Sequence, residues 1–138
     1  MSKPTVQAEF VLTSVGRDVT PRCIADRIAL VPESTWTIGD AVRPGGITRK
    51  NTGWRFVLPS EAAYDMDLHL RQLLDLIEPH KTHIAEAVEQ LKLTILISIT
   101  VYMRDETPAA WFSAATLRRV VELGADLDID MYLLPPVA

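Results

Sequence analysis

The sequence predicts an α+β domain, a two-layer sandwich in which a mostly antiparallel sheet carries helices on one face. Three observations lead there. Stretches toward both ends of the chain alternate apolar and polar residues with the period of a strand, the middle switches to helical spacing, and the elements lack the regular β-α alternation of a doubly wound parallel sheet. The expected order is β-α-β-β-α-α-β-β-α-β in a single domain over residues 1–138, with its ordered core at about 6–133. A chain of 138 residues is long enough to bury one hydrophobic core and too short to divide comfortably into two.

The first strand is read at residues 6–15, VQAEFVLTSV, rich in β-branched and aromatic residues and closed by Gly16. Thr20 then caps a short helix that starts at Pro21, where no backbone donor is needed, and carries Cys23, Ile24 and Ile28 as its apolar stripe before Pro32 ends it. Two strands follow at 34–42 and 53–60, with Trp36 and Ile38 sharing a face of the first and Trp54, Phe56 and Leu58 a face of the second. The connection RPGGITRKNT has the chemistry of a long, basic hairpin loop.

From about Asp65 the stripe Met66, Leu70, Leu73, Leu74 and Ile77 marks a helix that Pro79 should stop. Thr82 is the expected cap of a second helix, with Ile84, Val88 and Leu91 inward. KLTILISITVYM puts Leu93, Ile95, Ile97, Ile99, Val101 and Met103 on one face and mostly Thr, Ser and Tyr on the other, the clearest strand in the chain. AAWF, residues 109–112, reads as a short strand. Ser113 caps a helix bearing Leu117, Val120 and Val121 that ends at Gly124, and a last strand follows. In this order the two flanking parts look like reversed versions of one unit.

Composition narrows the function classes. The net charge is -4 with a pI near 5.3, which argues against a general nucleic-acid binder, because that affinity comes largely from cations neutralising phosphates. The charge is unevenly spread: residues 1–60 hold 8 Lys/Arg against 5 Asp/Glu, and residues 61–138 hold 6 against 13. Cys23 is the only cysteine, so no disulfide forms within the chain and a reducing compartment is expected. The start lacks the apolar core of a signal peptide, and the longest greasy run falls short of the roughly 20 residues that span a bilayer. A soluble cytoplasmic protein without membrane contact is the expectation.

Asp126, Asp128 and Asp130 recur at every second position in LGADLDIDMYLL. A helix-loop-helix calcium site needs glycine after the third acidic position and a glutamate six residues beyond it. Met131 stands at the glycine position, and no glutamate lies between it and Ala138. Strand alternation explains the pattern more economically, with Leu127, Ile129, Met131 and Leu133 inward and the carboxylates outward. His80 and His83, with Glu86 another three residues along, lack the further ligands a zinc site needs. His69 has no base-and-nucleophile partner in sequence, and Cys23 lies on an apolar stripe as a small buried hydrophobe would. No cofactor fingerprint and no metal motif is present in the sequence.

The strongest candidate surface is RPGGITRKNTGWR. Arg43, Arg49, Lys50 and Arg55 gather positive charge around the hairpin, and Trp54 stands beside them as a candidate anchor, arginine and tryptophan being typical of interface hot spots.

With these elements laid out, the chain resembles the small, mainly bacterial family known as domain of unknown function 4279. The resemblance rests on Trp36-x-x-Gly39-Asp40, on Trp54 opening the next strand and Ser60 closing it, and on the Leu68, Leu73 and Leu74 helix ending near Pro79. It rests most on Leu123-Gly124-Ala125-x-Leu127-Asp128-Ile129-Asp130-x-Tyr132, and it covers about residues 6–133. The resemblance implies no assigned activity and supplies no catalytic residues to transfer. Asp128 and Asp130 look like the family's acidic positions, whereas Asp126 falls at a variable one.

The expected function is therefore a non-enzymatic, macromolecule-binding domain that turns its basic hairpin toward an acidic protein partner, as an immunity or accessory protein would. The aspartates Asp128 and Asp130 are expected to face an arginine or another positively charged protein group rather than a metal. The alternative is a small-molecule or metal-dependent enzyme whose site is assembled from distant residues such as Asp128, Asp130, Tyr132 and a histidine. A third possibility is a homodimer joined through an exposed sheet edge or face.

Overall fold

β1 (Thr5–Ser14) is the middle strand of a five-stranded sheet in the computed structural model, which describes residues 2–136. It pairs antiparallel with β3 (Thr52–Ala62) on one side and with β4 (Thr94–Met103) on the other. The short β2 (Ser34–Trp36) lies antiparallel outside β3, and β5 (Asp126–Leu133) runs parallel outside β4. The order β2-β3-β1-β4-β5 makes the architecture α+β with a mostly antiparallel sheet.

Alternation divides the sheet into two unlike faces. Val6, Ala8, Phe10 and Leu12 of β1, Trp54 of β3 and the Ile95-Ile97-Ile99-Val101 row of β4 are buried in one cluster with the helices. Phe10 and Trp54 meet edge to face, with ring centroids 6.2 Å apart, a contact that adds about 0.5–1.5 kcal/mol to the burial of the two rings. The residues out of phase with these, Glu9, Val11, Arg55, Ser98, Thr100, Asp128 and Asp130, form the opposite, mainly polar face.

Helix α1 (Pro21–Ala25) is capped by Thr20, whose hydroxyl accepts from the Cys23 amide, and it contributes Ile24 to the core. Helix α2 (Met66–Ile77) begins at Asp65, which caps the Leu68 amide, and buries the whole stripe Met66, Leu70, Leu73, Leu74 and Ile77. Pro79 does not end the helical path. It sits in the first turn of a 3-10 segment, Glu78–His80, where its missing donor costs nothing, and α3 (Lys81–Leu91) continues directly. Thr82 consequently lies inside α3, whose N-cap is His80 without a side-chain bond.

Helix α4 (Ala114–Glu122) starts at Ser113, as the sequence predicts, and ends in a left-handed Gly124 at φ 73°. Its inward face differs from the expected one. Thr116 and Val120 are buried, Leu117 is half-exposed and Val121 points to solvent. Arg119 ties this helix to the end of α2, with Nε 2.6 Å from Glu78 and an Nη 2.7 Å from Asp75.

Three other expectations change. AAWF is no strand: Ala109 makes an isolated bridge to Asp65, its amide donating to the Tyr64 carbonyl, and Trp111 is exposed. The sheet partners are already taken by β1 and β5, so the second part of the chain is β-α-β and does not mirror the first. The strand read at 34–42 stops at Trp36, because the Asp40 carboxylate accepts the Thr37 amide and Gly39 adopts φ 91°, turning the chain out of the ladder. Pro59 is accommodated in β3 at the irregularity where Val6 pairs with Glu61 but Ala8 pairs with Leu58, a bulge that tolerates a residue without an amide donor.

Candidate functional site

The connection between β2 and β3 is an ordered hairpin. Asp40 accepts the Thr37 amide through its side chain and the Arg49 amide through its carbonyl at 2.7 Å, while Gly39 donates to the Arg49 carbonyl at 2.9 Å. Further out, Val42 donates to the Ile47 carbonyl at 2.9 Å and Gly46 to the Arg43 carbonyl at 3.0 Å. These bonds set Val42 and Ile47 side by side at the tip, 51% and 64% exposed, with Arg43 and Lys50 exposed around them. The loop is a preformed apolar and basic finger.

Trp36 forms the base of this finger. Its register partner is Gly53, so its side chain lies on the polar face of the sheet, over a residue that has no side chain of its own. The indole N–H donates to Asn51 Oδ1 at 2.9 Å, and the Arg49 guanidinium covers the ring at 4.8 Å from its centroid. Such a cation–π contact is worth about 0.5–1 kcal/mol at an exposed site, and it holds Arg49 in place.

Two residues assigned to this surface from the sequence belong elsewhere. Trp54 is 0% exposed; it pairs with Thr35 and Leu12 on the core face, so it is a packing residue and offers nothing to a partner. Arg55 emerges on the polar face, but Glu9 at 2.7 Å and Glu33 at 3.2 Å take its guanidinium. Trp36, one step before the turn, supplies the aromatic that Trp54 does not. The neighbouring Gly53 is the available signal, since a glycine inside a strand often marks a place where another group comes close to the backbone.

Asp128 and Asp130 sit on the same polar face at the far side of the sheet, opposite Ser98 and Thr100 of β4. Among the described residues neither takes part in an ion pair; on that face Arg55 is committed to glutamates and Arg49 to the Trp36 ring. The expected facing arginine is therefore absent among the described residues. Next along β5, Tyr132 stacks on Tyr102 with centroids 5.4 Å apart. His69 lies in α2, against the opposite face, so Asp128, Asp130, Tyr132 and this histidine are not brought together. No group of three or more His, Cys, Asp or Glu among the described residues is arranged to hold a metal ion.

The remaining titratable groups serve packing more visibly than chemistry. Asp67 is a buried carboxylate that accepts from the Ser113 amide at 3.0 Å and from Arg71 Nε at 3.0 Å. Burial pushes its carboxyl up, and the bonds from Ser113, Thr116 and Arg71 together outweigh that and hold it below the ordinary value. His69 is 2% exposed with no partner for Nε2, and burial pushes its imidazole below the usual range, against a smaller opposing pull from Glu61. It borders a cavity of about 250 Å³ between the end of β3 and α2. Cys23 is only partly covered rather than buried, and the Thr20 hydroxyl, 3.1 Å from its sulfur, lowers the thiol pKa.

A family model described as "Domain of unknown function (DUF4279)" matches residues 4–134. No curated protein and no solved structure matches the chain. No helix among the described residues is long and apolar enough to cross a membrane.

Proposed function

The chain belongs to the family described as domain of unknown function DUF4279, and from that premise we propose that it is a non-enzymatic binding domain whose 37–51 hairpin docks on an acidic surface of a partner protein. The observation that carries this reading is the pairing of Val42 and Ile47, both exposed, on a hydrogen-bonded hairpin rimmed by Arg43, Arg49 and Lys50. Exposed apolar side chains on an ordered tip bring burial to an interface, and an already folded hairpin gives up little entropy on docking. The basic rim steers the encounter with an acidic surface and selects against basic ones.

The bacterial cytoplasm suits such a domain, because its reducing conditions keep Cys23 as a thiol. An immunity or accessory role is the setting in which a small binding module acts without a reaction of its own. The test is affinity capture from the native lysate with the wild-type chain and with Arg43→Glu/Lys50→Glu as baits. Both side chains are exposed and unpaired among the described residues, so the substitution changes the docking surface while sparing the core.

A further inference from the structure

β5 is the one long open edge of the sheet among the described residues. At the other edge β2 has three residues and runs straight into the hairpin, whereas β5 has eight and β4 is its only strand neighbour. No hydrogen bond among the described residues joins the outer side of 126–133 to a loop, helix or side chain. At about 3.3 Å per residue this is a row of free backbone donors and acceptors some 26 Å long. Edges of this kind pair with another strand unless something blocks them.

Side chains on the two faces of β5 specify what that strand must look like. On the polar face Asp126, Asp128 and Asp130 stand about 7 Å apart, followed by Tyr132 on Tyr102. On the helix face Leu127 and Ile129 are partly buried, while Met131 and Leu133 are 49% and 75% exposed. Helix α4, which packs against β5, leaves Leu117 and Val121 exposed as well.

A second copy of the chain is a poor occupant. Antiparallel pairing of two β5 strands about an axis at Ile129 would set Asp128 of each copy opposite Asp130 of the other, and like charges directly opposed across a ladder are destabilising. We propose that β5 accepts, as a sixth strand, an extended segment of a partner protein that alternates basic and apolar residues. Its lysines or arginines face Asp126, Asp128 and Asp130, with Tyr132 beside the last, and its apolar residues extend the strip of Met131 and Leu133. The backbone ladder supplies affinity and the carboxylate column supplies the choice of partner. This surface lies at the sheet edge opposite the hairpin and stands or falls independently of it.

The test uses the full chain and a labelled synthetic peptide of alternating lysine and valine, read by fluorescence anisotropy at low salt, with residue-resolved amide exchange on the complex. The expected results are saturable binding, at least tenfold weaker binding by Asp128→Asn/Asp130→Asn, and at least tenfold slower exchange of those amides within 126–133 that face away from β4. The Arg43→Glu/Lys50→Glu chain binds the peptide undiminished, which separates this site from the hairpin. Absent binding, equal binding of a glutamate–valine peptide, or binding that leaves the β5 amides unprotected overturns the proposal. So does sedimentation showing a dimer whose β5 amides are protected without peptide.

Discussion

A Cβ placed on Gly53 would stand 2.1 Å from Cζ2 of Trp36, so the tryptophan occupies the space that glycine leaves on the polar face. The Arg49 guanidinium covers the same ring. The two residues couple the strand pair to the base of the hairpin.

Gly53→Ala should therefore dislodge Trp36 and, with it, Arg49. Forcing a methyl into an occupied site costs about 1–3 kcal/mol, to be read from urea unfolding. Near-ultraviolet circular dichroism should change with it, since Trp36 leaves a fixed environment; an unaltered spectrum would show that the ring does not lie where the pairing puts it.

The hairpin should behave as folded structure. The amides of Gly39, Val42 and Arg49 are bonded across it, whereas those of Ile47 and Thr48 make no backbone bond. Amide exchange should be at least tenfold slower in the first group than in the second. Uniformly fast exchange over 37–51 would remove the preformed finger on which the proposed function depends.

Asp67 joins α2 to the start of α4. Asp67→Ala leaves the half-buried Ser113 amide unsatisfied and Arg71 unpaired; because Arg71 is nearly half exposed, solvent screens part of that loss, and the expected cost is about 1–3 kcal/mol. The folded-state carboxyl is held below its unfolded value. Its contribution is thus fully present above the unfolded pKa of about 3.9 and is lost as pH falls through the folded value. Urea melts of wild type and Asp67→Asn across pH 2–6 should converge on the acid side.

His69 gives a second pH signature in a different window. Burial lowers its pKa in the folded chain, so below the unfolded value of about 6.5 the unfolded chain binds more protons and stability declines as pH falls. His69→Leu should lose that decline between pH 7.5 and 5. Parallel stability curves for the two proteins would mean that the imidazole titrates alike in both states.

The sheet and most helices were legible because periodicity reports burial. The alternation in β4 and the Met66-to-Ile77 stripe named core residues correctly, and Thr20, Ser113 and Gly124 marked their helix ends by capping chemistry alone. What failed depended on neighbours. Alternation shows that Trp54 and Gly53 face opposite ways but not which face the helices cover, so the sequence points to Trp54 as the anchor where the structure has Trp36. Pro79 stops an α-helix by its own chemistry, yet a 3-10 turn places it where that chemistry is harmless. Helical spacing groups Leu117, Val120 and Val121 in one stripe, whereas α4 packs through Thr116 and Val120 and leaves Leu117 and Val121 exposed.

The central claim, that the hairpin binds an acidic protein, is tested most directly by quantitative capture from the native lysate with wild-type and Arg43→Glu/Lys50→Glu baits side by side. The account predicts a reproducible acidic partner on the wild-type chain that falls at least tenfold on the charge-reversed one, with equal thermal stability of the two baits. The same partners in the same amounts on both baits would contradict it.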